Sequence, residues 1–340
     1  MDAHIHFREG AMLKVVVPHT VQQWSRAVVM PNLSEPIFTL DRATQYHEEI
    51  MAATSGKAFE ALMTMYLSPE IKPQIEKWDS DHVVQAVKMY PKGGTTNSEA
   101  GVSDIEEVFP VLELMEEKGM KLLIHGEVAD NSVDVFDRER RWVDTGLLSI
   151  VKRFPRLKIV CEHITTREMV AFIQDGPSHI GATITPQHLL HDRNIMLGDG
   201  IRPHWYCKPI LKRKEDQEAL LSLVCSDLDR VFAGTDSAPH LKKNNESDCG
   251  CAGVYSAPCA LSMYVTALSQ RLDLSRGAEK KIVERFLSIN GPVFYGREPS
   301  SELVVISNDS FNVPQIYDVD GEILNPILAG ESLQWSVKSV

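Results

Sequence analysis

The sequence predicts an α/β fold, a (β/α)8 TIM barrel, from three observations. Short apolar or β-branched runs alternate with longer segments of helical periodicity, which is the pattern of repeated βα units around a parallel sheet. Eight such runs can be marked in the 340 residues of the chain, a length that one large barrel fills. Histidine, lysine or aspartate stands at or beside the end of five of these runs.

Each candidate strand is a short run of apolar or β-branched residues. The first contains His4 and His6, the fourth carries Lys88 near its end, and the fifth ends on His125. The predicted strands are Asp2–Phe7, Arg26–Met30, Ala61–Tyr66, Val84–Met89, Lys121–His125, Leu157–Glu162, Gly181–Thr185 and Arg230–Gly234.

Amphipathic segments between and after these strands predict the helices. Ser103 stands three residues before Glu106, which predicts a capping box at the start of one helix. The predicted helical segments are Asp41–Ala53, Ser103–Lys118, Val133–Phe154, Thr166–Gln174, Lys214–Asp227, Pro258–Arg271 and Ala278–Ile289.

The last part of the chain, residues 296–340, differs from the rest in its pattern. It reads as short extended pieces with turns at Asn308-Asp309 and Gly321, so we expect a C-terminal tail packed on the barrel. The sequence has no internal repeat, low-complexity run or linker that would split it. We therefore predict a single domain over residues 1–340.

Composition excludes several classes of protein. A formal net charge of -12 argues against nucleic-acid binding, which needs clustered Lys and Arg. Six cysteines are too few for a disulfide scaffold in a chain of this length, which favours a reduced cytoplasmic setting. No signal peptide is seen, and no apolar run reaches the ~18 residues that span a bilayer. We expect a cytoplasmic protein without nucleic-acid or membrane partners.

The residues at the strand ends predict a metal centre. In a (β/α)8 barrel, all strands end at the same mouth, so these residues converge although they are distant in sequence. His4 and His6 are two apart on a strand and point to the same face, so both can bind one metal ion. The candidate ligands are His4, His6, Lys88, His125, His163 and Asp236.

Lys88 and Asp236 need a chemical explanation. If the site holds two divalent metal ions, an ammonium group beside them is disfavoured, so Lys88 would lose its proton. The neutral amine can then add carbon dioxide to form a carbamate, an anion that can bridge the two ions. Asp236 can bind a metal ion and exchange a proton with the attacking water. The alternatives are an ordinary surface lysine at a strand end for Lys88, and an N-cap or turn aspartate for Asp236.

A family resemblance extends in order along nearly the whole chain. The motifs that carry it are His4-Ile5-His6-Phe7-Arg8-Glu9-Gly10, Met30-Pro31-Asn32-Leu33, Lys88-Met89-Tyr90-Pro91, Thr95-Thr96-Asn97-Ser98, His125-Gly126-Glu127, Glu162-His163-Ile164-Thr165-Thr166, Thr185-Pro186-Gln187-His188, Gly234-Thr235-Asp236-Ser237-Ala238-Pro239-His240 and Cys249-Gly250-Cys251-Ala252-Gly253. Together these motifs resemble those of the monofunctional dihydroorotases of bacteria, plants and fungi (class II), which belong to the amidohydrolase superfamily of metallo-dependent hydrolases.

The resemblance implies a zinc-dependent enzyme that reversibly cyclises N-carbamoyl-L-aspartate to L-dihydroorotate in pyrimidine (UMP) biosynthesis. It implies two zinc ions, one held by His4 and His6 and the other by His125 and His163, with carboxylated Lys88 as the bridge. Asp236 would ligate the first ion and act as the catalytic general base and acid. The family also implies a homodimer.

The resemblance further implies a set of substrate-binding residues. Arg8 lies two residues beyond His6 and offers a guanidinium fork for the substrate carboxylate. Thr95 and Thr96 lie in a glycine-containing loop that closes over the substrate in the family. Lys208, where we expect leucine in bacterial members, and Ala252 would contribute main-chain contacts. The full expected set is His6, Arg8, Asn32, Thr95, Thr96, Lys208, His240 and Ala252.

Two other functions remain open from the sequence. One is another cyclic amidohydrolase, such as a hydantoinase or allantoinase, which the retention of Arg8 and Asn32 argues against. The other is a catalytically silent relative that serves as a scaffold, which the presence of every expected ligand argues against. A further departure from the family is that three residues precede His4, which indicates a short first strand or a truncated start.

Overall fold

A computed structural model describes residues 1–248 and 250–339 of the chain. Within these residues, eight parallel strands form one sheet in sequence order. The eight predicted strands are confirmed, and their ends differ from the prediction by no more than two residues. The strands are β1 (Asp2–Ile5), β2 (Arg26–Val29), β3 (Glu60–Tyr66), β4 (Val84–Met89), β5 (Lys121–His125), β6 (Ile159–Glu162), β7 (Ile180–Ile184) and β8 (Val231–Ala233).

The first strand and the segment after the last strand bring the two edges of the sheet together. The backbone N–H of Asp236 donates to the carbonyl of His4 at 2.9 Å, and that of His6 donates to Ser237 at 3.0 Å. The buried Asp2 carboxylate accepts a hydrogen bond from the backbone N–H of Thr235 at 2.8 Å. These bonds satisfy edge groups that an open sheet would leave unpaired, and they set His4, His6 and Asp236 side by side.

Helices follow most of the strands and pack around the sheet. The segments marked by helical periodicity are helical, although the segment predicted from Val133 begins at Arg138. The helices are α1 (Gly10–Val21), α2 (Leu40–Ala53), α3 (Lys72–Lys77), α4 (Phe109–Lys118), α5 (Arg138–Trp142), α6 (Leu148–Arg153), α7 (Arg167–Asp175), α8 (Pro186–Leu190), α9 (Asn194–Leu197), α10 (Lys214–Cys225), α11 (Lys242–Asn245), α12 (Ala260–Leu268), α13 (Gly277–Glu284) and α14 (Asn290–Tyr295). Short 3-10 segments span Pro69–Ile71, Ile105–Val108 and Pro203–Trp205, and π-helical turns span Val143–Leu147 and Arg285–Ile289.

The predicted capping residue Ser103 is wrong. The sequence favoured Ser103 as the capping residue, but the helical segment begins one residue later, after Asp104. The Asp104 carboxylate accepts a hydrogen bond from the backbone N–H of Glu106 at 3.0 Å. Both residue types are good caps, so composition alone did not distinguish them.

Two apolar layers surround the strands. The larger cluster lies between the outward faces of the strands and the helices, and it includes Ile124, Ile184 and Leu223. A smaller cluster fills the barrel interior and includes Val28, Leu62 and Phe232. The interior is therefore a packed core below the barrel mouth, as expected for this fold.

The C-terminal tail packs on the barrel. Its strands are β9 (Val304–Ser307), β10 (Phe311–Asn312), β11 (Tyr317–Val319), β12 (Glu322–Leu324), β13 (Ser332–Leu333) and β14 (Ser336–Ser339). The predicted turn at Gly321 joins β11 to β12, where Asp320 and Gly321 both adopt positive φ. Leu324 and Ile327 are buried in the larger core, and the N–H of Ile327 donates to the carbonyl of Tyr255 at 2.9 Å. The single-domain boundary at 1–340 stays a prediction.

Candidate metal centre and substrate pocket

Strand periodicity places two of the predicted ligands at the barrel mouth. Ala86 and Leu123 belong to the apolar cluster inside the barrel. Lys88 and His125 lie two residues further along the same strands, so they share the inward face and stand nearer the strand ends. Both side chains are buried, and Lys88 has no exposed surface.

The first group of predicted ligands is His4, His6 and Asp236. Their ligand atoms all lie within 4.8 Å of one another. The Asp236 Oδ1 atom is 3.1 Å from His6 Nε2 and 3.3 Å from His4 Nε2. Gly234 permits this approach, because a Cβ atom there would lie 2.8 Å from Thr183 Cβ and 3.1 Å from His4 Cβ.

The second group of predicted ligands is His125 and His163. Their ring centroids are 4.7 Å apart, and the His163 ring lies 5.0 Å from the ring of His4. His163 follows the end of β6 with φ of 42°, and its backbone N–H donates to Thr183 Oγ1 at 2.7 Å. Among the described residues, its Nδ1 atom has no hydrogen-bond partner although it is buried.

Glu162 is a site residue that the sequence analysis missed. It pairs in register with His125 and lies two residues after Val160, which faces the barrel interior. Its Oε2 atom contacts Lys88 Nζ and lies 3.0 Å from His4 Nδ1. The period of two along β6 was the available signal, because it assigns Glu162 to the inward face. Glu162 also forms a candidate ligand group with His4 and His163.

The ionisation of these groups reflects burial and close pairing. Burial lowers the pKa of His4, but the charges of Glu162 and Asp236 outweigh it and raise that pKa to about 9. Burial favours protonation of Asp236, but the charge of His4 and hydrogen bonds from His4 and His6 bring its pKa well below the ordinary value. Burial lowers the pKa of Lys88 although Glu162 opposes this effect. Asp236 is therefore a carboxylate at neutral pH.

The donor set fits divalent metal ions. The site combines four imidazoles, two carboxylates and a buried lysine, and imidazole with carboxylate ligation suits zinc and its neighbours. The unpartnered Nδ1 of His163 supports this interpretation, since a buried polar atom without a hydrogen bond is costly unless another group binds it.

The predicted substrate residues Arg8 and His240 contact each other beside the metal ligands. Arg8 Nη2 donates to His240 Nε2 at 3.1 Å, and Arg8 Nε donates to the carbonyl of Pro239 at 3.1 Å. Burial, with the nearby charge of Arg8, lowers the pKa of His240 to about 3, so its imidazole is neutral. Among the described residues, no carboxylate lies within salt-bridge distance of Arg8.

Asn32 and Thr96 connect the loops around this pocket. Asn32 Nδ2 donates to the carbonyl of Thr96 at 3.0 Å, and its Oδ1 accepts from the Tyr90 hydroxyl at 2.9 Å. Thr96 Oγ1 donates to the carbonyl of Ala252 at 3.2 Å. The loop after β4 thus reaches across to the loop after β8. That the loop with Thr95 and Thr96 closes over a substrate stays a prediction.

Thr95 and Lys208 are less closely tied to the pocket. The backbone N–H of Thr95 donates to Ser98 Oγ at 2.9 Å, within its own turn. Lys208 is half-buried and lies two residues beyond Tyr206, whose carbonyl accepts a hydrogen bond from Gly253 at 2.9 Å. The segment that carries Lys208 is therefore adjacent to Ala252, as the main-chain binding prediction requires.

Three predicted site residues adopt a backbone conformation that is unusual for residues other than glycine. The φ angles are 58° at Arg8, 42° at His163 and 47° at Asp236. Such angles cost free energy and cluster at functional sites. Each follows the end of a strand, so the chain turns sharply and directs these side chains to the mouth.

Comparison with known families and proteins agrees with this geometry. The family model described as the amidohydrolase family matches residues 1–304. A dihydroorotase of Escherichia fergusonii is 45% identical over 339 residues, which cover 99% of this chain and 96% of that protein. This family is metal-dependent.

Two solved dihydroorotases are similar to the whole chain. The Campylobacter jejuni enzyme has a TM-score of 0.89 and 34% identity, covering 99% of this chain and 95% of that one. The Saccharomyces cerevisiae enzyme in complex with 5-fluoroorotic acid has a TM-score of 0.89 and 31% identity, covering 99% and 96%. An L-hydantoinase of Arthrobacter aurescens, at 16% identity and a TM-score of 0.72, shares the fold alone.

Proposed function

We propose that this chain, which belongs to the amidohydrolase family and within it to the dihydroorotases, catalyses the reversible cyclisation of N-carbamoyl-L-aspartate to L-dihydroorotate. The observation that carries the proposal is a partly buried guanidinium, that of Arg8, which has no carboxylate partner among the described residues and lies beside a cluster of metal ligands. The carboxylate of the substrate would pair with Arg8, and the cyclic amide of the substrate would then face the metal centre. This arrangement favours a charged cyclic amide over hydantoin or allantoin.

We assign two metal ions to the mouth of the barrel. His4, His6 and Asp236 would hold one ion, and His125 with His163 would hold the other. When bound, divalent ions lower the pKa of water and polarise the carbonyl of the amide that is opened. We propose zinc as the metal because four imidazoles contribute to the donor set.

Lys88 is proposed as the bridge between the ions, in its N6-carboxylated form. Burial lowers the pKa of Lys88, which favours the neutral amine that reacts with carbon dioxide. Its contact with Glu162, whose Oε2 atom also lies 3.0 Å from His4 Nδ1, supports this role. Incubation with 13C-bicarbonate should produce a carbamate NMR resonance that is missing from a Lys88→Ala variant.

Asp236 is the proposed proton carrier. Its pKa lies well below the ordinary value, so it is ready to accept a proton from the attacking water during ring opening. The same carboxyl group would then give the proton to the leaving ring nitrogen. Ring closure reverses both transfers. His4 and His6 hold the carboxylate in place through its Oδ1 atom.

The substrate would bind beside the metal ligands, where Arg8 and His240 contact each other, and His6 is proposed as a further substrate contact. Arg8 would exchange its bond to neutral His240 for a bidentate contact with the substrate carboxylate. Asn32 and His240 would support that carboxylate. The loop with Thr95 and Thr96 would close over it, and main-chain groups at Lys208 and Ala252 would bind the ring.

The remaining parts of the proposal concern assembly and location. We propose a cytoplasmic homodimer that binds a small-molecule substrate and neither nucleic acid nor membranes. The net charge of -12 supports the exclusion of nucleic acid. Across residues 1–248 and 250–339, no helix has the length and apolar character needed to cross a membrane. Light scattering on the purified chain tests the dimer.

The decisive experiment is an assay in both directions before and after chelation. The purified protein loaded with zinc should consume dihydroorotate and also form it from N-carbamoyl-L-aspartate. Chelation should abolish both activities, and zinc should restore them. Hydrolysis of hydantoin or allantoin without any action on dihydroorotate would contradict the proposal. A protein that purifies without metal and turns over none of these substrates would indicate a scaffold.

A further inference from the structure

A buried ion pair, Glu127 with Lys212, contacts His125, one of the proposed metal ligands. Glu127 lies two residues after His125, and its Oε2 atom accepts a hydrogen bond from His125 Nε2 at 3.0 Å. The other carboxylate oxygen, Oε1, is 3.9 Å from Lys212 Nζ. Glu127 is 5% exposed and Lys212 is 3% exposed. None of the functions assigned so far uses either residue.

The hydrogen bond selects one form of the His125 ring. When Nε2 carries the proton and donates it to Glu127, Nδ1 keeps the lone pair that a metal ion needs. The direction of the ring is then set as well, because the carboxylate holds the opposite edge. Carboxylate-to-histidine contacts of this kind orient metal ligands and raise their basicity.

Lys212 holds that carboxylate from the other side. Its ammonium also donates to the carbonyl of Ile210 at 2.9 Å, which anchors the lysine in the segment before α10. The Glu127 carboxylate thus lies between the His125 ring and the Lys212 ammonium, and all three side chains are buried. Burying two charges costs a desolvation free energy that their mutual attraction need not repay, so stability alone does not explain this pair.

We propose that Glu127 and Lys212 are positioning residues for the metal ion held by His125 and His163. Glu127 fixes the tautomer and direction of the His125 ring, and Lys212 fixes Glu127. The inference rests on the proposed metal centre and extends it to two residues that touch neither metal nor substrate. The lysine belongs to a distant part of the sequence, so the segment before α10 supports a ligand on β5.

Zinc titration of the chelated full-length protein against a chromophoric competitor tests this. The parent should bind two ions. Glu127→Ala should weaken one of them by about 10- to 100-fold, the range found when such outer partners of metal ligands are removed. Glu127→Gln keeps an oxygen that accepts from His125 Nε2, so it should restore most of the affinity. Lys212→Met should fall between the Gln and Ala variants.

A matched control separates positioning from general stability. Glu116 is a partly buried carboxylate on α4, and it accepts a hydrogen bond from the backbone N–H of Arg156 at 2.7 Å. Glu116→Ala should lower the free energy of unfolding and leave both zinc affinities at parental values. The cobalt-substituted Glu127→Ala protein should also show a changed visible absorption spectrum, which Glu116→Ala should not.

The outcomes distinguish this inference from the proposed function. A parent that binds fewer than two ions contradicts the metal centre itself. A parent that binds two ions, with a folded Glu127→Ala variant that binds them equally tightly, overturns the positioning role. If Glu127→Ala does not fold, the Glu127→Gln and Lys212→Met variants decide: parental zinc affinity and cobalt spectra in Lys212→Met contradict the inference.

Discussion

The two ends of the barrel interior differ in chemistry although the same strands build both. Below the mouth, Ala86, Leu123 and Val160 form part of an apolar layer. Two residues further along each strand, the inward positions are occupied by Lys88, His125 and Glu162. Burial stabilises the lower layer through the hydrophobic effect, whereas it costs free energy at the mouth unless each charge is paired. The lower layer thus supports the fold and the upper layer carries the chemistry.

The largest expected effect is at the mouth. Asp236→Ala should lower kcat by about 10²- to 10⁴-fold or more, because it removes the group that moves the proton. Most metal ligands remain, so the protein should keep its fold and hold zinc. Steady-state assays together with metal analysis measure this. Near-parental turnover in the variant would reject Asp236 as the proton carrier.

The matching change in the lower layer should act on stability. Leu123 pairs in register with Lys88 and is fully buried, so Leu123→Ala should lower the free energy of unfolding by about 2–5 kcal/mol. Turnover per folded molecule should change little. Urea unfolding and an assay normalised to folded protein measure the two effects. A large loss of kcat in Leu123→Ala without a loss of stability would contradict the assignment of the lower layer to the fold and the upper layer to the chemistry.

The substrate pocket should respond to a smaller change in charge geometry. Arg8→Lys keeps the charge but replaces the planar fork with a point charge. We expect kcat/KM for dihydroorotate to fall about tenfold to a hundredfold, since a hydrogen bond to a charged group contributes about 1.5–3 kcal/mol. Arg26→Lys is the control, because Arg26 pairs with Glu60 and begins β2, at the end of the strand opposite the barrel mouth. Equal kinetics in the two variants would contradict the assignment.

The smallest expected effect is a pH dependence of stability that comes from the buried carboxylate of Glu139. Glu139 accepts hydrogen bonds from the N–H and hydroxyl of Thr165, and burial raises its pKa from 4.5 to about 7. The folded state therefore binds a proton on the Glu139 carboxyl more tightly than the unfolded state does. The contribution of this proton to the free energy of unfolding is complete below pH 4.5 and is lost as the pH rises through about 7.

Glu139→Gln removes this titration. The free energy of unfolding of the parent, relative to that of the variant, should fall between pH 4.5 and 7 by roughly 1–3 kcal/mol. Urea unfolding across this range provides the measurement. Glu113→Gln, which changes an exposed glutamate on α4, is the control and should keep the pH profile of the parent. A constant difference between parent and Glu139→Gln would contradict the shift.

Much of this contrast between layers could be predicted from the sequence. The runs Val84–Met89 and Lys121–His125 are strands with the predicted bounds, because β-branched and apolar runs without turn residues leave few alternatives. Because residues two apart on a strand share a face, Lys88 and His125 could then be assigned to the inward face near the strand ends. Helix α1 was not marked, since Pro18 lies inside it and its apolar residues run consecutively.

Other site residues depended on features that a single sequence does not display. The period of two along β6 could have assigned Glu162 to the inward face, but its contacts with Lys88 and His4 depend on the register of β5 with β6. His163 reaches the mouth through a positive φ angle, which departs from strand alternation. Lys212 looked like any lysine before a helix, and its burial became visible only in the folded chain.

The sequence by itself determined the local elements and the types of ligand, because strand and helix periodicity and side-chain chemistry are properties of neighbouring residues. The tertiary structure alone decided which groups meet: Glu162 with Lys88, Glu127 with Lys212, and Arg8 with His240. These pairs are separated by many residues along the chain. Their distances follow from barrel closure and strand register, which arise only when the whole sheet is assembled.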